Sequence, residues 1–195
     1  MVQMVKICVR RDFLMQKVNK TSLNVVITLS LLVAISIICG KLLALRVGDI
    51  LRFSFENMPI IFAGIAFGPL AGAAVGIVAD LLGCVLVAYA INPIVTIGAA
   101  AIGVVAGFIP KLLRKYHLKP FIVVTLTVFA SHFVGSVLIK TAGLAVFYSM
   151  PYFMLMLWRG LNYIIVGAVE SVALDTLFKS RGVSMQIKKL KEQLK

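Results

Sequence analysis

Acidic residues are scarce in this chain. Only 7 of its 195 residues are Asp or Glu, against 20 Lys or Arg, and charged residues make up 14% of the total. Hydrophobic residues make up 61%, with a mean hydropathy of +1.05. A soluble domain of this length needs a much smaller apolar fraction for its core. The composition therefore predicts a protein that is embedded in a lipid bilayer.

Common catalytic and metal-binding signatures are also missing. The sequence contains no G-x-x-x-x-G-K-[ST] phosphate loop, no H-E-x-x-H and no G-x-S-x-G, so an ATPase or a hydrolase built on those motifs is excluded. The three cysteines, Cys8, Cys39 and Cys84, lack the paired spacing of a zinc site or a disulfide framework. We expect no enzyme activity, no cofactor and no metal site.

Six apolar segments follow one another along the chain. They lie at about residues 23–45, 57–67, 70–90, 93–109, 121–147 and 152–178. Because lipid offers backbone groups no hydrogen-bond partner, each segment is expected to be helical. The second is short, and its separation from the third rests on Gly68 and Pro69, a helix-breaking pair. The pattern predicts an all-α membrane protein, a bundle of six transmembrane helices.

The basic residues predict the orientation of this bundle. Fifteen of the 20 Lys and Arg lie before residue 21, between residues 111 and 119, or after residue 178. Such clusters are typical of cytoplasmic segments, and this placement makes nucleic acid an improbable partner. We expect a basic cytoplasmic tail at 1–21, a transmembrane substrate-binding domain at 22–178 and a second basic cytoplasmic tail at 179–195, where an amphipathic helix begins near Ser184.

Two cations lie inside apolar segments, where an ionisable side chain is costly. Lys140 and Arg159 are each about seven residues from the outer end of their segment, so they are expected at the same depth. Two cations at one depth suggest an anion site that opens to the outside. Either side chain can instead reach toward lipid headgroups or pair with an internal carboxylate.

Other polar residues share faces with these cations. Asn162 and Tyr163 follow Arg159 at helical spacing, below Trp158, which is alternatively an interfacial anchor. On the fifth segment, His132 and Ser136 precede Lys140 in the same way, and His132 is more typical of a hydrogen bond between helices than of a ligand contact. Asp80, in the middle of the third segment, either pairs with a buried cation or accepts hydrogen bonds from a ligand.

Several stretches resemble a known family. They are Arg52-Phe-Ser-Phe-Glu-Asn-Met-Pro-Ile-Ile61, Ala63-Gly-Ile-Ala-Phe-Gly-Pro69, Ala79-Asp-Leu-Leu-Gly83, Tyr89-Ala-Ile-Asn-Pro93 and Trp158-Arg-Gly-Leu-Asn-Tyr-Ile-Ile165. Over about residues 22–178 the chain resembles the membrane-embedded S components of energy-coupling factor (ECF) vitamin transporters, most of all the folate-specific type. This resemblance implies a multi-pass protein of the bacterial cell membrane that captures folate from outside.

The resemblance also implies partners and residue roles. The partners are a transmembrane coupling subunit and two ATPases that deliver the vitamin at the cost of ATP, with Ser30 and Ala34 on the coupling surface and the loop at 46–55 covering the substrate. The implied substrate-binding residues are Arg52, Phe55, Asp80, Asn92, Lys140, Trp158, Arg159, Asn162 and Tyr163. Among them Asp80 and Asn92 are expected to bind the pterin, the aromatic side chains to stack on it, and the three cations to hold the glutamate carboxylates.

Two other functions remain open from the sequence. The first is an S component for a different vitamin, such as pantothenate. The second is a small membrane channel or structural subunit, although a channel more naturally repeats pore-lining residues in identical spans, and these spans differ.

Overall fold

The computed structural model describes residues 23–47 and 51–193 of the chain. Each of the six predicted apolar segments forms a helix there, and a basic helix follows them. The helices are α1 at 23–37, continued by a π-helical turn at Ile38–Leu42, α2 at Met58–Phe67, α3 at Pro69–Leu86, α4 at Pro93–Leu113, α5 at Pro120–Tyr148, α6 at Tyr152–Lys179 and α7 at Arg181–Gln193. The predicted tail at 1–21 lies outside the described residues.

Five of these helices are long and apolar enough to cross a membrane. They are α1, α3, α4, α5 and α6, with at least 18 residues each and mean hydropathies between 1.4 and 2.4. A hydrocarbon layer about 30 Å thick needs about 20 helical residues. With 10 residues, α2 is shorter than this. The described part of the chain is thus a helical, multi-pass membrane protein, as the composition predicts.

The boundary between α2 and α3 is fixed by backbone geometry. Gly68 has φ +99°, a left-handed conformation that L side chains adopt only with strain, and Pro69 occupies the first turn of α3. The predicted break at this pair is therefore confirmed.

Small residues bring α3 and α4 into direct backbone contact. A Cβ atom added to Gly72 or Gly76 would overlap the backbone of Gly103 or Ala99. Close packing of this kind stabilises helix pairs in lipid. Burial of apolar side chains between helices contributes little there, because the lipid tails are equally apolar. The bundle core lies beside this contact, around Ile61 of α2.

Helix α5 is continuous, but its centre is not α-helical. A π-helical segment at His132–Lys140 lies between α-helical stretches at Pro120–Ser131 and Thr141–Tyr148. Such widened turns are rare and are frequent at functional sites. This one carries His132, Ser136 and Lys140, all three of them buried.

The two ends of the bundle differ in character. At one end, which we call the ribbon end, β1 at Leu45–Val47 pairs antiparallel with β2 at Leu51–Phe53. The segment predicted as a loop at 46–55 is thus partly a β ribbon. The opposite end, which we call the basic end, carries the turn at Arg114–Tyr116 and the helix α7.

Helix α7 begins three residues before the predicted start. Its face with Leu190 packs on the bundle, where Leu190 is 8% exposed, whereas Lys188 and Lys191 are exposed. The helix is therefore held to the bundle by its apolar side and presents its basic side outward.

Candidate functional site

A polar cavity of about 230 Å³ opens among the helices at the ribbon end. Its lining contains seven of the nine residues predicted to bind substrate: Asp80, Asn92, Lys140, Trp158, Arg159, Asn162 and Tyr163. They come from α3, from the start of α4, from the π-helical segment of α5 and from the first half of α6. Residues from four separate parts of the sequence therefore meet in one place.

Lys140 is buried and already has partners. Its Nζ donates to Oδ1 of Asn57 at 3.2 Å and lies 3.5 Å from Oε1 of Glu56. Of the alternatives that the sequence left open for this lysine, pairing with an internal carboxylate is the one observed. Lys140 also lines the cavity, so its charge remains available to a ligand that replaces Glu56.

Arg159 is held by neutral groups. Its Nη2 donates to the backbone oxygen of Ser136 at 3.3 Å and to the hydroxyl of Tyr163 at 3.4 Å. Its Nε is buried and has no hydrogen-bond partner among the described residues. A buried donor without a partner costs free energy, and the guanidinium group pairs best with a planar carboxylate. The cavity thus holds a cation with unused hydrogen-bonding capacity.

Asp80 lines the cavity from α3, and Asn92 lines it from the start of α4. Oδ2 of Asp80 accepts a hydrogen bond from the hydroxyl of Thr96 at 2.7 Å. The amide of Asn92 caps α4, since its Oδ1 accepts from the backbone nitrogen of Ile94 at 3.0 Å and its Nδ2 donates to the oxygen of Gly143 at 2.8 Å. Asn92 is therefore committed to the fold, whereas Asp80 keeps acceptor capacity for a ligand.

The aromatic side chains are placed unequally. Trp158 lines the cavity and is 38% exposed. The ring of Tyr163 stacks on His132 with 4.7 Å between centroids, and the guanidinium carbon of Arg159 lies 5.4 Å from the Tyr163 ring. Of these two rings, Trp158 therefore keeps more free surface for a ligand. Tyr89 and Tyr148, which the sequence did not single out, also line the cavity and are 50% and 56% exposed.

The two remaining predicted residues belong to the segment before α2. Among the described residues that line the cavity, Phe55 is absent, whereas its neighbours Ser54 and Glu56 are present. Phe55 is half-buried. Arg52 lies opposite Arg46 in the register of the ribbon, and its side chain lies outside the described part.

The cavity also contains two charged residues that were not among the predicted substrate-binding residues. Lys41, at the end of α1, lines it, with Nζ 5.6 Å from the centroid of the Tyr89 ring, and Glu56 lines it from the segment before α2. Both are ionisable residues in or beside apolar stretches, which is the signal that singled out Lys140. With them the cavity has three cations, Lys41, Lys140 and Arg159, and two carboxylates, Asp80 and Glu56.

A chain of hydrogen bonds continues from the cavity into the core. Nδ2 of Asn57 donates to Oγ of Ser136 at 3.3 Å, and Oγ of Ser136 lies 3.4 Å from Nδ1 of His132. Nε2 of His132 in turn lies 2.6 Å from Oε2 of Glu170 on α6. His132 thus connects two helices, as predicted, and polar contacts reach continuously from Lys140 to Glu170.

The two predicted coupling residues lie on the surface of α1. Ser30 and Ala34 are both exposed, beside the exposed apolar side chains of Ile27, Leu31 and Ile38. Such small residues leave a shallow groove for another helix. The inward side of the same helix carries Ser36 and Gly40, which pack toward Glu56.

The cavity suits a ligand that has both polar and flat parts. Positive charge, carboxylate acceptors and an exposed indole ring lie within one enclosure. Within the described part of the chain, no three His, Cys, Asp or Glu side chains are close enough together to hold a metal ion. Fold and cavity together define a multi-pass membrane protein with a polar site the size of a small solute.

Comparison with known families identifies the type of transport protein. The profile of the family described as ECF transporter, substrate-specific component, matches residues 24–177. The chain belongs to this family, whose members are substrate-binding subunits of transporters rather than enzymes. A comparison with curated proteins finds no significant match.

Two solved structures share the fold. The crystal structure of FolT bound with folic acid has 21% sequence identity and a TM-score of 0.61, and the match covers 76% of this chain and 89% of that one. The S component of a bacterial ECF transporter has 19% identity and a TM-score of 0.60, with 89% and 99% covered. At these identities the likeness concerns the fold.

Proposed function

We propose that the chain is the folate-capturing S component of an ECF importer. The observation that carries this proposal is the composition of the cavity, where the cations Lys140 and Arg159 lie beside the exposed ring of Trp158. Folate joins a flat pterin to a glutamate with two carboxylates, so it needs a stacking surface and cations in one site. The fold shared with folate-bound FolT supports the same substrate.

The proposed orientation of folate follows from the unused capacity of each residue. The guanidinium of Arg159 and the ammonium of Lys140 bind the glutamate carboxylates, and Asp80 accepts hydrogen bonds from the amino edge of the pterin. Trp158 stacks on the ring system, while Asn162 and Tyr163 complete the wall on α6. Asn92 acts by holding the start of α4, and Arg52 and Phe55 remain predictions for the ribbon segment.

We further propose that the bundle crosses the bacterial cell membrane six times, with both termini in the cytoplasm. The turn at Gly68 and Pro69 packs against Gly107 of α4, four residues before Lys111. The hairpin of α2 and α3 thus reaches toward the basic end, which supports α2 as a short crossing. The basic side chains at that end favour a cytoplasmic location. In this orientation the cavity at the ribbon end opens to the outside.

The sequence contains no phosphate-loop motif, and energy for uphill transport could come from a partner or from an ion gradient. We propose that partners supply this energy, namely a transmembrane coupling subunit and two ABC-type ATPases. The exposed small residues Ser30 and Ala34 form the part of α1 on which the coupling subunit packs.

Fluorescence of Trp158, the only tryptophan, tests the substrate directly. The chain is purified in detergent from a folate-free medium and titrated with folic acid, with calorimetry in parallel. Saturable quenching with one site per chain is expected, and Trp158→Phe should lose the fluorescence signal while the calorimetric signal remains. Absence of both signals, with saturable binding of pantothenate or another vitamin, would overturn the assignment to folate.

A further inference from the structure

Glu56 joins three parts of the ribbon end. Its backbone oxygen accepts a hydrogen bond from Oγ of Ser36 on α1 at 2.6 Å, and its backbone nitrogen donates to Oγ of Ser54 at 3.2 Å. Gly40 of α1 leaves room for its side chain, because a Cβ at that position would lie 2.7 Å from Oε2 of Glu56. The backbone of Glu56 is therefore fixed, and Gly40 leaves room for its carboxylate.

One partner of this carboxylate is the ammonium group of Lys140. Oε1 of Glu56 lies 3.5 Å from Nζ of Lys140, and the two side chains are 27% and 6% exposed. A carboxylate that enters the cavity to bind Lys140 therefore meets Glu56 at the same ammonium group. Two carboxylates at one site repel each other and compete for the same cation.

The size of the cavity gives a second reason for movement. Sites for small molecules commonly enclose about 300–1,000 Å³, whereas this cavity has about 230 Å³. A folate-sized ligand is larger than this cavity, so it either extends through the opening or displaces side chains of the lining. The partly exposed carboxylate of Glu56 can move at lower cost than the buried stem of Lys140, whose Cγ is packed against Gly98.

We propose that the carboxylate of Glu56 is an internal competitor, which occupies Lys140 in the empty protein and is displaced by a carboxylate of the substrate. The proposal rests on the proposed function, since it takes folate as the ligand. A ligand without a carboxylate leaves Glu56 on Lys140, and it therefore gains no affinity from that cation. The internal carboxylate thus neutralises the buried cation between transport cycles and lowers the affinity for acidic ligands, which have to displace it.

Glu56→Gln tests the proposal, because glutamine keeps the shape and removes the competing charge. Affinity is measured by calorimetry for folic acid and for 6-hydroxymethylpterin, which has the pterin ring and no carboxylate. We expect Glu56→Gln to bind folic acid about tenfold more tightly. This change in affinity lies between those expected from the loss of an exposed and of a buried ion pair. The neutral pterin should change less than about threefold.

Asp175→Asn is the matched control. It removes one carboxylate from an ion pair, with Lys179 at 2.6 Å, at the basic end of α6. Both affinities should stay at the wild-type value in this variant, so any general effect of net charge is separated from displacement at Lys140. Glu56→Asp provides a second variant if the glutamine variant does not fold, with a smaller gain expected because the shorter side chain retracts from Lys140.

The possible failures are distinguishable. If wild-type protein does not bind folic acid, the proposed function fails, and this inference fails with it. If wild-type protein binds folic acid and Glu56→Gln binds it equally well or more weakly, only the inference is overturned. An equal loss for both ligands would show instead that Glu56 contacts the pterin ring.

Discussion

Removing the carboxylate of Glu170 tests how the polar core below the cavity stabilises the bundle. Oε2 of Glu170 lies 2.6 Å from Nε2 of His132, and the two residues are 0% and 1% exposed. Breaking a buried pair costs about 3–5 kcal/mol in soluble proteins, whereas hydrogen bonds between membrane helices average about 0.6 kcal/mol and reach about 1.7. Since Glu170→Ala leaves His132 without this partner in a fully buried place, we expect a loss of about 2 kcal/mol.

For a chain of this length, that loss corresponds to a Tm lower by about 4–8 °C. The assay is thermal unfolding in detergent, followed by far-ultraviolet circular dichroism. Asp175→Ala is the control, because its partner Lys179 has a side chain that is 68% exposed and stays hydrated when unpaired. A Glu170→Ala variant that unfolds within about 1 °C of the wild type, or no earlier than the control, would refute the reasoning.

Three further predictions concern binding and coupling. Arg159→Ala should weaken folic acid binding at least about tenfold by calorimetry, and Arg159→Lys should recover only part of it because lysine lacks the planar fork; unchanged affinity would contradict the anion site. Gly83→Ala places a methyl group 3.0 Å from Cε of Lys41 and should displace that side chain. Folic acid binding should then weaken roughly threefold, and an unchanged affinity would show that Lys41 does not contribute to binding. Ala34→Trp should keep folate binding in detergent but reduce uptake by vesicles that contain the coupling module; loss of both would argue against a separate coupling surface.

Helix positions could be predicted from the sequence because the bilayer allows few alternatives. The predicted ends of the helices were less accurate where proline and glycine, the usual markers of a helix end, do not coincide with it. The fourth apolar segment was expected to end at residue 109, before Pro110, yet α4 continues to Leu113 with that proline inside it. Prolines are tolerated in membrane helices, since neighbouring groups satisfy the freed backbone oxygen.

The end of α3 shows the opposite case. The apolar segment was expected to continue to residue 90, but the helix ends at Leu86. Ala88 adopts φ +53°, and the backbone nitrogens of Ala88 and Tyr89 donate to the oxygens of Val85 and Cys84 at 3.3 and 3.0 Å. This is a Schellman-type end built without glycine, so the sequence contained no signal for it.

The sequence predicted which residues line the site better than it predicted which residues pair with one another. Ionisable and aromatic residues inside apolar segments identified most of the cavity, because lipid makes such residues expensive unless they face the interior. The pairing of Lys140 with Glu56 connects residues 84 positions apart, and no local pattern encodes that distance. The two strands of the ribbon have three residues each, too few to show the alternation by which a strand is recognised.

The most direct test of the account is a structure of the chain determined with folic acid bound. We expect the ligand in the cavity at the ribbon end, with a glutamate carboxylate within hydrogen-bonding distance of the Arg159 guanidinium and the pterin on the side of Asp80. Folate bound elsewhere on the bundle, or bound in the cavity with its carboxylates away from both Arg159 and Lys140, would contradict it.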